Sequence, residues 1–168
     1  TAAQNEAYDH IMKAFADGKP VLLNGVTGSG KTEIYMKLAG ESLKRGRNVL
    51  YLVPEIALSR QLEDRLHSHF GEILMTFHSG VSAAGRRDVA ESIRGMAGKK
   101  GNYIVLGTRS ALFLPHHDLG LIIVDEEHDS SYKQDSPAPR YNGRDTALML
   151  HQIQKCDIIL GSATPSLE

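Results

Sequence analysis

The chain has 168 residues, 19 Lys and Arg against 20 Asp and Glu, a net charge of −1 and one cysteine. That length fits a single ordinary domain of roughly 100–150 residues or slightly more; the lone Cys156 excludes an internal disulfide scaffold, and no apolar run approaches the roughly 18 residues of a membrane span. With 41% hydrophobic and 23% charged residues the composition is globular, and the balanced charge lacks the basic excess of a strong nucleic-acid binder.

No charged-then-apolar signal segment opens the sequence, so a cytoplasmic setting is expected. Thr1 and Gln4 read as a capping box, and Ala7, Ile11 and Phe15 repeat at helical spacing until Gly18. An apolar strand follows at 20–24, then a helix over 31–45 that Gly46 stops. A strand at 48–53 leads to a helix over 57–70, with Leu58, Leu62 and Leu66 on one face. A strand at 72–77 precedes a helix over 82–96 that turns Val89, Ile93 and Met96 inward. Strands at 102–106 and 121–125 come next. The polar segment 130–142, with Pro137 and Pro139, reads as a loop long enough to be functional. A helix over 143–154 and a strand at 157–160 close the series. Most of the strands are apolar almost throughout rather than alternating, as in a parallel sheet covered on both faces, so the expected class is α/β.

Two motifs carry chemistry. Gly25-Val26-Thr27-Gly28-Ser29-Gly30-Lys31-Thr32 fits G-x-x-x-x-G-K-[ST], between an apolar strand and a helical pattern. The glycines let consecutive backbone N–H groups face one anion, and the helix N-terminus adds partial positive charge. Lys31 would reach the β- and γ-phosphates of a nucleotide, and the Thr32 hydroxyl would ligate Mg²⁺. The plain alternative is a glycine turn with an exposed lysine. Four specified positions match by chance in well under roughly one chain in a hundred. Asp125-Glu126-Glu127-His128 then ends the strand Leu121-Ile122-Ile123-Val124. Beside a phosphate loop, Asp125 would hold Mg²⁺ through water and Glu126 would orient the attacking water. The alternative is a solvated acidic turn at a helix N-terminus. His128 has no second His or Cys at ligand spacing and is given no metal.

The phosphate loop, the DExH-type Asp125–His128 run and Gly161-Ser162-Ala163-Thr164-Pro165-Ser166 together resemble superfamily 2 helicases and translocases, the last block being similar to their S-A-T motif. The resemblance sharpens with Val53-Pro54-Glu55-Ile56-Ala57-Leu58, His78-Ser79-Gly80, Gly107-Thr108-Arg109-Ser110-Ala111-Leu112-Phe113, Asp125-Glu126-Glu127-His128-Asp129-Ser130-Ser131-Tyr132-Lys133-Gln134, Arg140-Tyr141 and Arg144-Asp145. On these the chain resembles the PriA family of bacterial replication-restart helicases from Gln4 to Ser166. A UvrB-like repair subunit shares the phosphate loop, but Glu127 and Tyr132–Gln134 speak against it.

The resemblance implies a RecA-like P-loop NTPase lobe, with a mostly parallel sheet between helices. It implies ATP and Mg²⁺ as cofactors and 3′-to-5′ translocation on single-stranded DNA, used in primosome assembly at stalled forks. Single-stranded and branched DNA, primosome proteins and single-strand-binding protein are the implied partners. It implies that Gln4 recognises adenine, beside the capping role already read for it. Pro54 and Glu55 would form motif Ia at the DNA face, and Thr108 and Arg109 motif Ib. Tyr132, Lys133, Arg140 and Tyr141 would belong to an aromatic-rich loop that senses DNA. His128, Ser162 and Thr164 would couple hydrolysis to motion. Plainer roles stand beside these: Glu55 positioning a neighbour, Arg109 in a structural ion pair, Tyr132 and Tyr141 as half-buried loop aromatics. Such motors have two lobes and a cysteine-rich zinc module, so residues 1–168 are expected to be the first lobe of a longer protein, with little activity alone. A switch module that binds ATP without catalysis is the other class of reading.

Overall fold

The computed structural model describes residues 2–24, 29–99, 101–134 and 141–162. Its elements are α1 (Ala2–Ala16), β1 (Val21–Leu23), α2 (Ser29–Lys44), β2 (Asn48–Leu52), α3 (Arg60–Phe70), β3 (Leu74–Phe77), α4 (Ala83–Met96), β4 (Ile104–Gly107), β5 (Leu119–Val124), β6 (Lys133–Gln134), β7 (Tyr141–Asn142), α5 (Gly143–Gln154) and β8 (Asp157–Gly161). Six strands form one parallel sheet in the order β1-β8-β5-β2-β4-β3, and β6 and β7 form a separate antiparallel pair.

The inner strands β2, β4 and β5 are buried on both faces, as their hydrophobic runs require, whereas the edge strands are less covered and Leu22 of β1 is 55% exposed. Along β2, Val49 and Tyr51 enter one core with Ile11 of α1, Tyr35 and Leu38 of α2 and Leu66 of α3. Leu50 and Leu52 point the other way, against Ile93 of α4 and Ala147 of α5. Cys156 packs in this second core, and burial pushes its thiol up to about 12. It is an inert packing group.

Local chemistry sets the helix ends. Ser59 Oγ accepts from Leu62 N–H at 3.1 Å, so α3 starts at Arg60 rather than at 57. Residues 55–57 form a separate short 3-10 turn behind Pro54. Ser82 caps α4 by accepting from Gly85 N–H at 3.0 Å. Such caps each stabilise a helix by about 1 kcal/mol. Gly46 follows α2 with φ of +77°, a conformation that glycine adopts without strain. The segment expected as one loop, 130–142, contains a 3-10 turn at Ser130–Tyr132 and the strands β6 and β7. Two-residue strands leave no periodic signature. Thr1, the other half of the expected capping box, lies outside the described residues.

The strand order positions the chemistry. β8 lies between β1 and β5. The C-terminal ends of β1 and β5 therefore flank the end of β8, the usual place for a ligand in an open parallel sheet.

Candidate nucleotide site

α2 begins at Ser29, directly after the glycine-rich segment, and carries Lys31 in its first turn. Lys31 is only 4% exposed. Its Nζ lies 3.4 Å from Asp125 Oδ1 and 3.1 Å from Glu126 Oε1. A buried ammonium is costly unless paired, and these two carboxylates pair it. Tyr35 sits one helical turn beyond Lys31, on the same face of α2. Its hydroxyl donates to Asp125 Oδ1 at 2.9 Å. Burial first, then the Asp125 charge, pushes the Tyr35 phenol far up, so it remains a donor throughout the working pH range. Tyr51 meets Tyr35 edge-on at 5.5 Å between ring centroids.

The end of β5 turns sharply. Glu126 has φ of +51°, in the left-handed region, which costs a non-glycine residue about 1–2 kcal/mol. The surroundings hold it there. Asp125 N–H donates to Leu52 O at 2.9 Å, Glu127 N–H to Gly161 O at 2.9 Å, and Asp129 N–H to Glu126 O at 2.9 Å. Tyr132 Oη donates to Asp125 O. Arg144 Nη1 lies 3.1 Å from Glu127 Oε2.

The structure therefore brings Lys31, Asp125 and Glu126 together from distant parts of the chain. Thr32 is adjacent on α2, and Ser162, buried, donates its N–H to Leu23 O at the end of β1. His128 is exposed. Gln4 lies on the α1–α2 surface, where its amide donates to Glu33 Oε2 at 3.2 Å. A cavity of about 180 Å³ opens beside it, lined by Tyr8, Ile34 and Lys37 among others. Gly25, Val26, Thr27, Gly28, Arg140 and Thr164, and the side chain of Ser29, lie outside the described residues, whereas Gly30 is placed in the first turn of α2.

The residues expected at a nucleic-acid face are arranged differently from one another. Pro54 is buried and Glu55 exposed. Thr108 is 3% exposed. A cavity of about 270 Å³ lies among Glu55, Glu63, His78, Ser79, Gly80 and Thr108. Among the described residues Arg109 makes no ion pair; its Nη1 donates to Ser131 O at 2.9 Å and also to Lys133 O. It thus fastens the segment that leaves the acidic turn. Tyr132 corrects the expectation of a half-buried loop aromatic. Its ring is 1% exposed in the second core, so it presents no face to a base. Lys133 is exposed and Tyr141 half-buried. Tyr141 packs edge-on against Phe113 at 5.0 Å, with the Arg109 guanidinium 5.9 Å from its ring centre. Phe113 is 64% exposed.

Three participants had no role in the sequence reading. Tyr35 was legible as the residue four beyond Lys31. Arg144 and Phe113 were not, because their partners are set by tertiary packing.

The whole of this arrangement falls within one family model, which describes DEAD/DEAH box helicases and matches residues 1–168. The chain belongs to the DEAD/DEAH box helicase family. Within that family it is 50% identical over its full length to Replication restart protein PriA of Synechocystis sp.. It is 41% identical, again over its full length, to the Bacillus subtilis protein of that name, and 46% identical over 98% of its length to that of Helicobacter pylori. The chain spans 20% of each of the first two relatives and 26% of the third. Among solved structures, RecG bound to a three-way DNA junction matches 98% of the chain and 21% of its own, with a TM-score of 0.68 at 23% identity. The helicase MrfA bound to DNA and AMPPNP matches 98% and 24%, with a TM-score of 0.64 at 23% identity. These likenesses establish the fold: the six-stranded parallel sheet is a RecA-like helicase lobe. Among the described residues no helix is long and apolar enough to cross a membrane.

Proposed function

We propose that residues 1–168 are the first, ATP-binding lobe of a longer 3′-to-5′ DNA helicase acting in replication restart. The observation that carries this reading is the meeting of Lys31, Asp125 and Glu126 at the C-terminal edge of the sheet. Similarity to replication-restart proteins over the whole chain supports the cellular role.

The residues fit a Mg²⁺–nucleotide. Among the described residues no three or more His, Cys, Asp or Glu gather to cage a metal. Mg²⁺ commonly keeps few protein ligands and shares the rest with phosphates and water. Thr32 and Asp125 would hold it, and bound Mg²⁺ neutralises charge on the transferring phosphoryl group. Lys31 would exchange its two carboxylate contacts for phosphate oxygens. Glu126, released from Lys31, would orient and polarise water for in-line attack. Asp125 stays fixed by the Tyr35 hydroxyl. The segment 25–30 would supply backbone N–H groups to the phosphates, and Gln4 the adenine contact. A second lobe would contribute arginines, which are worth about 10³–10⁵ in rate in related systems. Little turnover is therefore expected from residues 1–168 alone.

Single-stranded DNA would cross the edge formed by the turns after β2, β3 and β4. Pro54, Glu55, Thr108, Lys133, Arg140 and Tyr141 would shape that path. The Arg109 clamp on Ser131 and Lys133, with Tyr132 on Asp125, supports communication from that edge to the ATP site. His128, Ser162 and Thr164 would pass the hydrolysis state to the second lobe. Primosome proteins, single-strand-binding protein, branched DNA, a zinc module elsewhere and a cytoplasmic setting complete the proposal.

The test uses the chain extended to the length of its relatives. ATP turnover should rise with single-stranded DNA, and Glu126→Gln should bind ATP yet lose turnover. Nucleotide binding without any response to DNA would instead favour the switch reading.

A further inference from the structure

Glu126 holds a left-handed backbone, φ of +51°, at the position where its carboxylate reaches Lys31 at 3.1 Å. A non-glycine residue keeps such a conformation where its surroundings over-determine it. On its N-terminal side the ties come from the sheet and the second core: Leu52 O accepts from Asp125 N–H, and Tyr132 Oη donates to Asp125 O. On its C-terminal side, Gly161 O accepts from Glu127 N–H at 2.9 Å, and Arg144 Nη1 meets Glu127 Oε2 at 3.1 Å.

Arg144 is oddly placed for a surface arginine. Asn142 caps α5, its Oδ1 accepting from Arg144 N–H at 2.9 Å and from Asp145 N–H at 3.4 Å. Arg144 thus occupies the first turn of the helix, where the helix dipole disfavours a cation. Two carboxylates offset that: Glu127, whose side chain is 15% exposed, and Asp145, whose Oδ1 is 3.4 Å from Arg144 Nε. The Glu127 contact crosses from α5 to the acidic turn, and one peptide bond separates Glu127 from Glu126.

We infer that Arg144 and Glu127 form a strut that holds the Glu126 backbone in its left-handed turn, making Arg144 a positioning residue for the carboxylate that orients water. The strut rests on the assignment of Glu126 proposed above. Arg144 acts through Glu127 and touches neither nucleotide nor DNA in this role. Loss of the strut lets the 126–127 peptide relax and moves the Glu126 carboxylate. Nucleotide affinity, set by the phosphate loop and Lys31, is left in place.

The experiment compares Arg144→Gln, Arg144→Lys, Glu127→Gln and the Glu127→Gln/Arg144→Gln double variant with Glu126→Gln, in the chain extended to the length of its relatives. Arg144→Gln and Glu127→Gln should each lower kcat by on the order of tenfold, with KM and fluorescent-nucleotide affinity within about twofold of wild type. The double variant should be no worse than either single one. Arg144→Lys, which keeps the charge, should recover part of the loss. Wild-type kcat in Arg144→Gln, a parallel loss of nucleotide affinity, or additive losses in the double variant would overturn the strut. If Arg144→Gln fails to fold, the exchanged pair Glu127→Arg/Arg144→Glu decides. Turnover above that of Glu127→Arg alone supports the strut, and no gain overturns it. Full turnover in Glu126→Gln removes the assignment of Glu126 and the strut with it. An inactive Glu126→Gln beside a fully active Arg144→Gln overturns the strut alone.

Discussion

Tyr35 donates its hydroxyl hydrogen to Asp125 Oδ1 at 2.9 Å over the end of β8, where Gly161 leaves the space for both side chains. A Cβ on Gly161 would stand 1.7 Å from the Tyr35 hydroxyl and 2.9 Å from Asp125 Oδ1. Gly161→Ala is therefore expected to break this contact and to destabilise the lobe by about 1–3 kcal/mol, the usual range for overpacking. Tyr35→Phe leaves the space and removes only the bond to a carboxylate, worth about 1.5–3 kcal/mol. Urea melts of both variants test the pair; a Tyr35→Phe midpoint equal to wild type would show that the bond contributes nothing.

Lys31→Ala should abolish measurable nucleotide binding while the sheet stays folded, because the contacts of Lys31 Nζ are to Asp125 and Glu126 at the C-terminal edge of the sheet. Titration of a fluorescent ATP analogue, with circular dichroism as the folding control, checks this. Equal affinity in wild type and variant would sink the phosphate-loop assignment.

Tyr132 separates two contributions. Tyr132→Phe keeps the buried ring and removes the bond to Asp125 O, so a loss of about 1 kcal/mol is expected. Tyr132→Ala empties a fully buried site in the second core, and about 3–5 kcal/mol is expected, as for other large aromatic truncations. Equal melting points in the two variants would mean that the ring is not a core group.

His116 predicts a pH effect on stability. Its Nε2 faces Ala111 O at 2.8 Å, and its Nδ1 lies 2.9 Å from the Tyr103 hydroxyl. A carbonyl only accepts, so Nε2 carries the hydrogen and Nδ1 accepts from Tyr103 in a neutral ring. Burial, the largest cause, lowers the His116 pKa below its ordinary value of 6.5. The unfolded chain then binds the proton first as pH falls. The neutral ring's contribution is complete above about pH 6.5 and is lost as pH drops through the unfolded value towards the folded one. Thermal melts at pH 7.5 and pH 5.5 should show a steeper fall for wild type than for His116→Gln. Identical slopes would assign the pH response to the other histidines.

Much of the lobe is legible in the sequence. The unbroken apolar strands could only be covered on both faces, and their alternation with amphipathic helices required a parallel sheet. Residues 25–32 and 125–128 stand out as candidates for phosphate and metal chemistry, because those residue types at that spacing have few other uses. Helix starts shift where caps decide the matter, by three residues at Ser59 and by one at Ser82. The short β6–β7 pair was hidden, since two residues have no period.

Strand order lay beyond the sequence. The placement of β8 between β1 and β5 sets the ends of β1 and β5 on either side of Gly161, a position with no room for a side chain. Likewise, nothing local distinguishes Tyr132, buried under the acidic turn, from Tyr141, half-exposed beside Phe113. The sequence by itself determined the fold class and marked the residues proposed for the site, because both follow from periodicity and from residue types at short range. The tertiary structure alone decided which side chains meet, which tyrosine faces the core and what holds Glu126 in its strained turn. Those depend on contacts between residues far apart in the chain, which no local pattern encodes.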